Sequence, residues 1–349
     1  MASLTQVSIA TRKTIRYGIY SIIAIIIARY IILAGVRIYR YFFPVPPPAP
    51  EVAFGKLPRL PFPQRSPTEG LSFSLETPEG GLPKFSYQAK VFYMPKVFTG
   101  LLSLDIAKDR ATKLGFSPDG AEITETVYKF PHPKSPAELQ ISIATGVFSI
   151  SYNLSADPSP LQEKPVAPEV AASKVRSFLS TSGLLPKDME GPSKSEYVKL
   201  VNDKIVGATS LSDANFVKVN LFRKDYDKLP SLTPDPTSAN IWFIVSGKTE
   251  KEKLVIAAEY HYFPVDETKS STYPIKTSQT AWDEFTAGKA FIASLGSNQA
   301  GKNITIRRIY LAYYDGGTQM DFYQPIIVFE GDNGFTAYLP AVTDAYYGN

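Results

Sequence analysis

The sequence contains no cysteine, and its 349 residues include only two histidines, His132 and His261. The first absence excludes disulfides, thiol nucleophiles, lipid attachment at cysteine and every cysteine-based zinc site. The second leaves too few imidazoles for most histidine-rich metal centres. Neither absence assigns a compartment. Acid is scarce at one end: residues 1–65 carry nine Lys or Arg against a single acid, Glu51, while the remaining 28 basic and 32 acidic residues sum to −4. The net charge of +4 therefore belongs to the N-terminal end, where positive charge suits anionic lipid headgroups. The acidic remainder is a poor electrostatic match for nucleic acid, and no nucleic-acid partner is expected.

What is present is apolar surface. Hydrophobic residues make up 44% and aromatics 13% of the chain, enough for real cores and better suited to strands than to bundles. Residues 17–36 read YGIYSIIAIIIARYIILAGV, an apolar run with one charge, Arg29. A helix of that length rises about 30 Å, the thickness of a bilayer's hydrocarbon core. The rival reading, a cleaved signal peptide, conflicts with the run continuing past Arg29 and with the lack of a small-x-small cleavage site before Arg37. Arg29 either snorkels to the nearer interface beside Tyr30 and Arg37 or pairs with a polar group on a partner helix. Arg12, Lys13 and Arg16 precede the run and Arg37 and Arg40 follow it, which places residues 1–16 in the cytoplasm and the larger portion outside.

Residues 44–70 hold nine prolines in 27 positions and are expected to form an extended polyproline linker. The string Pro58-Arg59-Leu60-Pro61 has the spacing of an SH3 ligand, a likeness without meaning if the segment lies outside the cell. Beyond it, apolar spacing predicts helices at 103–114 (Ser103 as N-cap), 168–182 and 278–287, with Gly115, Gly183 and Gly288 as stops. Strands are expected at 85–93, 121–129, 138–144, 147–153, 196–208, 215–222, 240–246, 253–263, 303–314, 321–329 and 334–340. The fold class is α+β, with one N-terminal transmembrane helix, a proline-rich linker and helix-plus-antiparallel-sheet modules over 71–160 and 161–349, the second divisible near 266. The first two helices, LSLDIAKDRATKLGF and PEVAASKVRSFLSTSGL, share enough grammar to suggest distant repeats.

The stretch YPIKTSQTAWDEFTAGKAFI, followed by ITIRRIYLAYYD and YQPIIVFEG…FTAYLPAV, resembles the C-terminal pattern of YycH/YycI-type and PepSY-like extracytoplasmic proteins. In that pattern a short helix with an Ala-Trp pair precedes a Tyr-rich strand and a Pro-led strand. The resemblance covers 266–349 and, less clearly, 71–160. It brings no catalytic residues, and it implies regulation or binding by protein contact from a membrane anchor.

Other motifs give way to plainer readings. Gly296-Ser-Asn-Gln-Ala-Gly301-Lys302 matches GxxxxGK, but Asn303 stands where a P-loop needs Ser or Thr, and a strand is expected where it needs a helix. Asp315-Gly316-Gly317 with Asp321, and Gly331-Asp332-Asn333-Gly334, are too poor in oxygen ligands for calcium and read as turns. Glu259 and His261 share a strand face, an acid–base pair without a nucleophile. Arg307 and Arg308 interrupt an apolar strand, which asks for a buried partner, a β-bulge or a binding role. Asn153 and Asn303 head glycosylation sequons. No catalytic, cofactor or metal residues are expected. The candidate partner contacts are Arg29, Arg307, Arg308, Tyr310, Tyr313, Tyr314, Tyr323 and Tyr338, the tyrosines because they combine apolar area with a hydroxyl. The leading function is a membrane-anchored extracytoplasmic binding or regulatory protein, with an envelope structural subunit or an envelope hydrolase as alternatives.

Overall fold

Isoleucine-rich sequence without an interior proline carries helix α1 over Leu4–Phe42, and the helix ends ahead of Pro44, which has no N–H to continue it. Its 25-residue segment Ile15–Tyr39, whose most apolar stretch has a mean hydropathy of 2.3, is long and apolar enough to cross a membrane. The span is longer than the expected 17–36 because Ile15, Ile38 and Tyr39 extend the apolar run. The structure, a computed structural model, describes residues 4–43, 48–64, 70–96, 100, 103–299 and 303–348. Met1–Ala49 and Pro50–Asn349 form two separate units.

Within the second unit come, in chain order, β1 (Ser72–Leu75), β2 (Gln88–Tyr93), α2 (Ser103–Lys113), β3 (Ala121–Thr124), β4 (Val127–Pro131), β5 (Ala137–Ser142), β6 (Phe148–Tyr152) and α3 (Pro168–Thr181). Then follow β7 (Ser193–Val201), β8 (Lys204–Gly207), β9 (Phe216–Leu221), β10 (Ser231–Leu232), β11 (Ile241–Val245), β12 (Val255–Tyr260) and β13 (Asp266–Pro274). The last are α4 (Ser278–Thr286), β14 (Phe291–Ser294), β15 (Asn303–Tyr314), β16 (Phe322–Tyr323), β17 (Pro325–Gly331) and β18 (Thr336–Pro340).

The expected glycines end all three helices. Gly115, Gly183 and Gly288 take φ of +92°, +67° and +77°, which only glycine adopts freely. The next residue closes each end by donating back to the last turn: Phe116 N–H to Ala111 O, Leu184 N–H to Leu179 O and Lys289 N–H to Glu284 O. Ser103, expected as an N-cap, is the first helical residue, and its hydroxyl accepts from Gly100 N–H at 2.7 Å. The single strand expected over 196–208 is the hairpin β7–β8, because Asn202 and Asp203 both take positive φ (48° and 60°) and reverse the chain in two residues.

An antiparallel nine-stranded sheet runs in the order β3-β4-β5-β6-β12-β11-β9-β7-β8. Ala107 and Ala111 of α2 and Ala171, Val175 and Leu179 of α3 share one core with its strands. The small alanines let both helix axes approach the sheet closely. The β6–β12 pair joins the strands that follow α2 to those that follow α3, so the sheet continues across the expected 160/161 boundary.

The second layer interleaves the two ends of the unit. A six-stranded sheet runs β1-β15-β17-β18-β14, with β10 also on β15, and a three-stranded sheet runs β13-β2-β16. Ala281 and Phe285 of α4 pack on Ile306, Ile327 and Phe329. Residues 50–64, expected as extended linker, are a strap packed on this layer. The strap turns at Val52–Gly55, where Gly55 N–H donates to Val52 O at 3.1 Å, and beyond the turn it offers backbone groups to its neighbours. Leu57 N–H donates to Tyr346 O (2.9 Å), Gly348 N–H donates to Leu57 O (2.9 Å), and Pro58 O accepts from Gln324 Nε2 (2.9 Å). Leu57 is fully buried, and Phe62 stacks on Phe291 with ring centres 5.0 Å apart. The PxxP element is thus a fixed part of the fold, while linker residues 44–47 and 65–69 lie outside the described residues.

Candidate functional site

The strand that carries Arg307 and Arg308 departs from simple alternation. The register of β15 against β17 shifts between Ile306, opposite Gly331, and Arg308, opposite Glu330. This bulge inserts one residue, so Ile306 and Ile309 are both buried while both arginines are exposed. Arg307 is held by two bonds to Asp332 (2.8 and 2.9 Å) and one to Glu76 (2.6 Å). Arg308 donates to Glu330 at 3.1 Å, and its guanidinium lies 5.0 Å from the centre of the Tyr310 ring. Tyr310 donates its hydroxyl to the other Glu330 oxygen at 2.6 Å, and burial beside that carboxylate raises the phenol's pKa.

On its other edge β15 is covered only at its ends. β1 pairs in parallel with Asn303–Ile306, and β10 pairs in parallel with Tyr313–Tyr314. Ile306 O accepts from Glu76 N–H at 3.0 Å, and Tyr313 N–H donates to Pro230 O at 2.8 Å. Strand alternation turns the backbone groups of Ile309 and Leu311 to the same edge as those of Tyr313. Among the described residues neither has a hydrogen-bond partner there. A groove of about 530 Å³ lies over the gap, lined by residues 83–86, 228–230 and 308–311. Lys84 and Lys228 are exposed at it with no carboxylate within ion-pair distance among the described residues. With Arg308 they make three cations against one acid, Glu330. Lys228 sits at the tip of a two-residue turn in which Asp227 and Lys228 have φ of +48° and +67°, closed by mutual bonds between Tyr226 and Leu229.

Four of the expected contact tyrosines belong to the core instead. Tyr313, Tyr314, Tyr323 and Tyr338 are 0% exposed. Tyr313 stacks on Tyr323 with ring centres 5.2 Å apart and donates its hydroxyl to Lys90 O, while Tyr338 donates to Thr233 O. The hydroxyls of Tyr313, Tyr314 and Tyr338 thus serve the backbone carbonyls of Lys90, Pro61 and Thr233. Of that set, Arg308 and Tyr310 come together at the groove and Arg307 lies beside it. Arg29 lies in α1, in the other unit.

The remaining motifs resolve locally. His261 Nε2 lies 3.0 Å from Glu259, and that bond raises the imidazole pKa. Asp315 bonds Arg223, Asp332 bonds Arg307 and Asp321 pairs with Lys96 at 3.0 Å, so each turn carboxylate faces a cation. Gly296 takes φ +57° in a turn, the strand β15 follows where a P-loop needs a helix, and Gly301 and Lys302 lie outside the described residues. A cleft of about 580 Å³ at the C-terminal ends of α2 and α3 gathers Lys113, Lys134, Lys174, Lys248 and Lys251. Helix ends present carbonyls, and cations are favoured there.

Sequence reasoning missed Arg223, which is fully buried just after β9. It bonds Asp188 (2.5 Å), Asp315 (2.8 Å) and Phe263 O (2.6 Å), and Tyr226 and Tyr262 also donate to Asp188. The adjacent carboxylates hold its pKa well above the ordinary value against the opposing effect of burial. The signal in the sequence was faint: one arginine directly after an apolar strand, LFRKDY.

No protein-family model matches the chain, and no curated protein matches it in sequence. Among solved structures it is similar to an uncharacterized protein from Eubacterium rectale, at 14% identity and a TM-score of 0.40 over 80% of this chain and 90% of that one. It is also similar to the C-terminal domain of YpeB from Bacillus megaterium (13% identity, TM-score 0.33, 68% of this chain and 92% of that one). YycH from Bacillus subtilis matches at 10% identity and a TM-score of 0.33, over 73% of this chain and 56% of YycH. YycH is of the YycH/YycI-type group whose pattern the sequence resembles. The likeness is distant.

Proposed function

We propose that the chain is a single-pass membrane protein whose Pro50–Asn349 unit lies outside the cytoplasm and acts by binding another protein, without catalysis. The observation that supports this most directly is the basic groove on β15, an uncovered stretch of sheet edge, on a chain that also carries an anchor-length apolar helix. Buried catalytic acids would favour the hydrolase alternative. Among the described residues the two buried aspartates, Asp188 and Asp315, instead face Arg223. The test is affinity capture of the full-length protein from detergent-solubilised native membranes, alongside Arg29→Leu and Arg308→Glu variants. A specific partner lost with Arg29→Leu assigns the contact to the anchor; one lost with Arg308→Glu assigns it to the groove. Recovery of no specific partner by the unmodified protein sinks the reading.

A structural subunit is the second reading, favoured by β8. All four residues of this edge strand are exposed, as are the neighbouring Val201 and Leu211. An uncovered apolar edge is a template for pairing with a copy. Sedimentation of the unmodified protein and of Ile205→Lys distinguishes the two readings: a dimer abolished by the substitution supports the subunit.

A further inference from the structure

The groove has the shape of a missing strand. From Ile306 to Tyr313, β15 advances roughly 23 Å at about 3.3 Å per residue, and only the two ends of this edge are hydrogen-bonded. Ile309 and Leu311 therefore present two N–H and two C=O groups to the groove with no partner among the described residues. Unpaired backbone along a sheet edge is what an added strand satisfies. The side chains that would flank such a strand differ by face. Arg308 is exposed on one face, where the half-buried Tyr310 packs on the core of Tyr314, Val328 and Tyr338, whereas Ile309 and Leu311 belong to the apolar cluster on the other face. Lys228 adds a cation from a left-handed position (φ +67°) that glycine would occupy at less cost, and Lys84, also at the groove, adds another.

We propose that the β15 gap between β1 and β10 binds an extended, acidic segment of a partner protein by parallel or antiparallel strand addition, with acids on the face of Arg308 and small apolar residues on the other face. This rests on the protein-contact reading and adds to it the site and the chemistry of the partner. Backbone bonds to Ile309 and Leu311 supply the attachment, and Lys84, Lys228 and Arg308 select acidic over basic segments.

The test uses full-length protein in phospholipid nanodiscs and a fluorescent peptide of alternating Glu and Val, seven residues long. Three companions are a Lys-for-Glu peptide, a peptide N-methylated at alternate residues, and the Lys228→Glu/Arg308→Glu protein, whose substitutions fall on exposed side chains. The expected result is saturable binding of the acidic peptide and slowed amide exchange over 307–312. Binding should weaken at least tenfold with the Lys peptide, the N-methylated peptide or the doubly substituted protein. Absent binding, equal binding of the N-methylated peptide, or binding without slowed exchange over 307–312 overturns strand addition. If it fails this way while membrane capture still recovers a partner, protein contact survives and only this site is wrong. If capture also recovers nothing, both readings fall.

Discussion

In the nine-stranded sheet most partners are neighbours in sequence: β3 with β4, β4 with β5, β5 with β6, β7 with β8 and β11 with β12. In the layer built on β15, the parallel β1–β15 pair brings together residues 231 apart, and β2 lies between β13 and β16. Short hairpins close at small entropic cost, while the second layer must bring distant segments together before any contact rewards them. The two layers accordingly differ in what fixes them. The first relies on alanine-faced helices over an apolar sheet. The second adds to its apolar clusters specific polar ties: tyrosine hydroxyls on backbone carbonyls, the strap and the Arg223 cluster. The two tryptophans report on the layers separately, since Trp242 lies in β11 and Trp282 in α4.

The largest effect is expected from removing Arg223, which binds Asp188 beside the first layer and Asp315 at the end of β15. Arg223→Met strands two buried carboxylates, and deleting one partner of such a network costs about 3–5 kcal/mol. In single-tryptophan proteins (Trp242→Phe or Trp282→Phe) the urea transitions should coincide with Arg223 present. With Arg223→Met they should separate, Trp282 melting first. Coincident transitions after the substitution would show that the layers are coupled by packing alone. Next in size is the strap. Leu57 is 0% exposed, and Leu57→Ala should cost about 2–5 kcal/mol, the usual range for such truncations. The Trp282 transition should move more than the Trp242 transition.

Smaller and on the other side of the comparison is the β7–β8 turn. Asn202→Val places a β-branched residue at φ +48°, a strain of order 1–3 kcal/mol. Because this hairpin lies at the sheet edge, proteolysis at 200–207 should quicken while the Trp282 transition stays in place. Asp203→Gly, at φ +60°, should slow the same cleavage.

The same contrast explains what could be read in advance. The α+β class, the apolar helix, the three glycine-stopped helices and the β5–β6 hairpin depend on local spacing, and the sequence shows them, whereas 121–129 and 196–208, each expected as one strand, are the hairpins β3–β4 and β7–β8. β1, β10, β13 and β14 fall outside the expected strands: β1 and β10 are short and take their pairing from distant β15, and β13 carries polar residues over its exposed half. The strap was hidden by composition, because nine prolines look alike whether the segment is free or docked. Tyr313, Tyr314, Tyr323 and Tyr338 lie in the core because a phenol suits a core that offers backbone carbonyls as well as it suits an interface. At Arg307-Arg308 sequence alone narrowed the choice to a buried partner, a bulge or a binding role, and the bulge at Ile306/Arg308 accounts for the exposure of both side chains.

The smallest effect, a pH dependence, sets the two histidines against each other. His132, in the loop between β4 and β5, accepts at Nδ1 from Lys134 N–H (3.1 Å) and lies 2.9 Å from the Ser135 hydroxyl. Partial burial lowers its pKa, so its folded form favours the neutral ring. Its contribution is present above the unfolded value of about 6.5 and is lost as pH falls through the lowered folded value. His261, at the end of β12, has its pKa raised first by the Glu259 hydrogen bond. Its contribution is complete below about 6.5 and is lost as pH rises through the raised folded value. Together they give a shallow maximum of stability near pH 6.5, shallow because both rings are partly solvated. Melting temperature against pH should lose its fall on the alkaline side in His261→Gln and on the acid side in His132→Asn, which keeps an acceptor. Ring-proton titration of the native protein is the direct check. If His132 titrates at or above His261, the opposed environments are wrong and the maximum disappears with them.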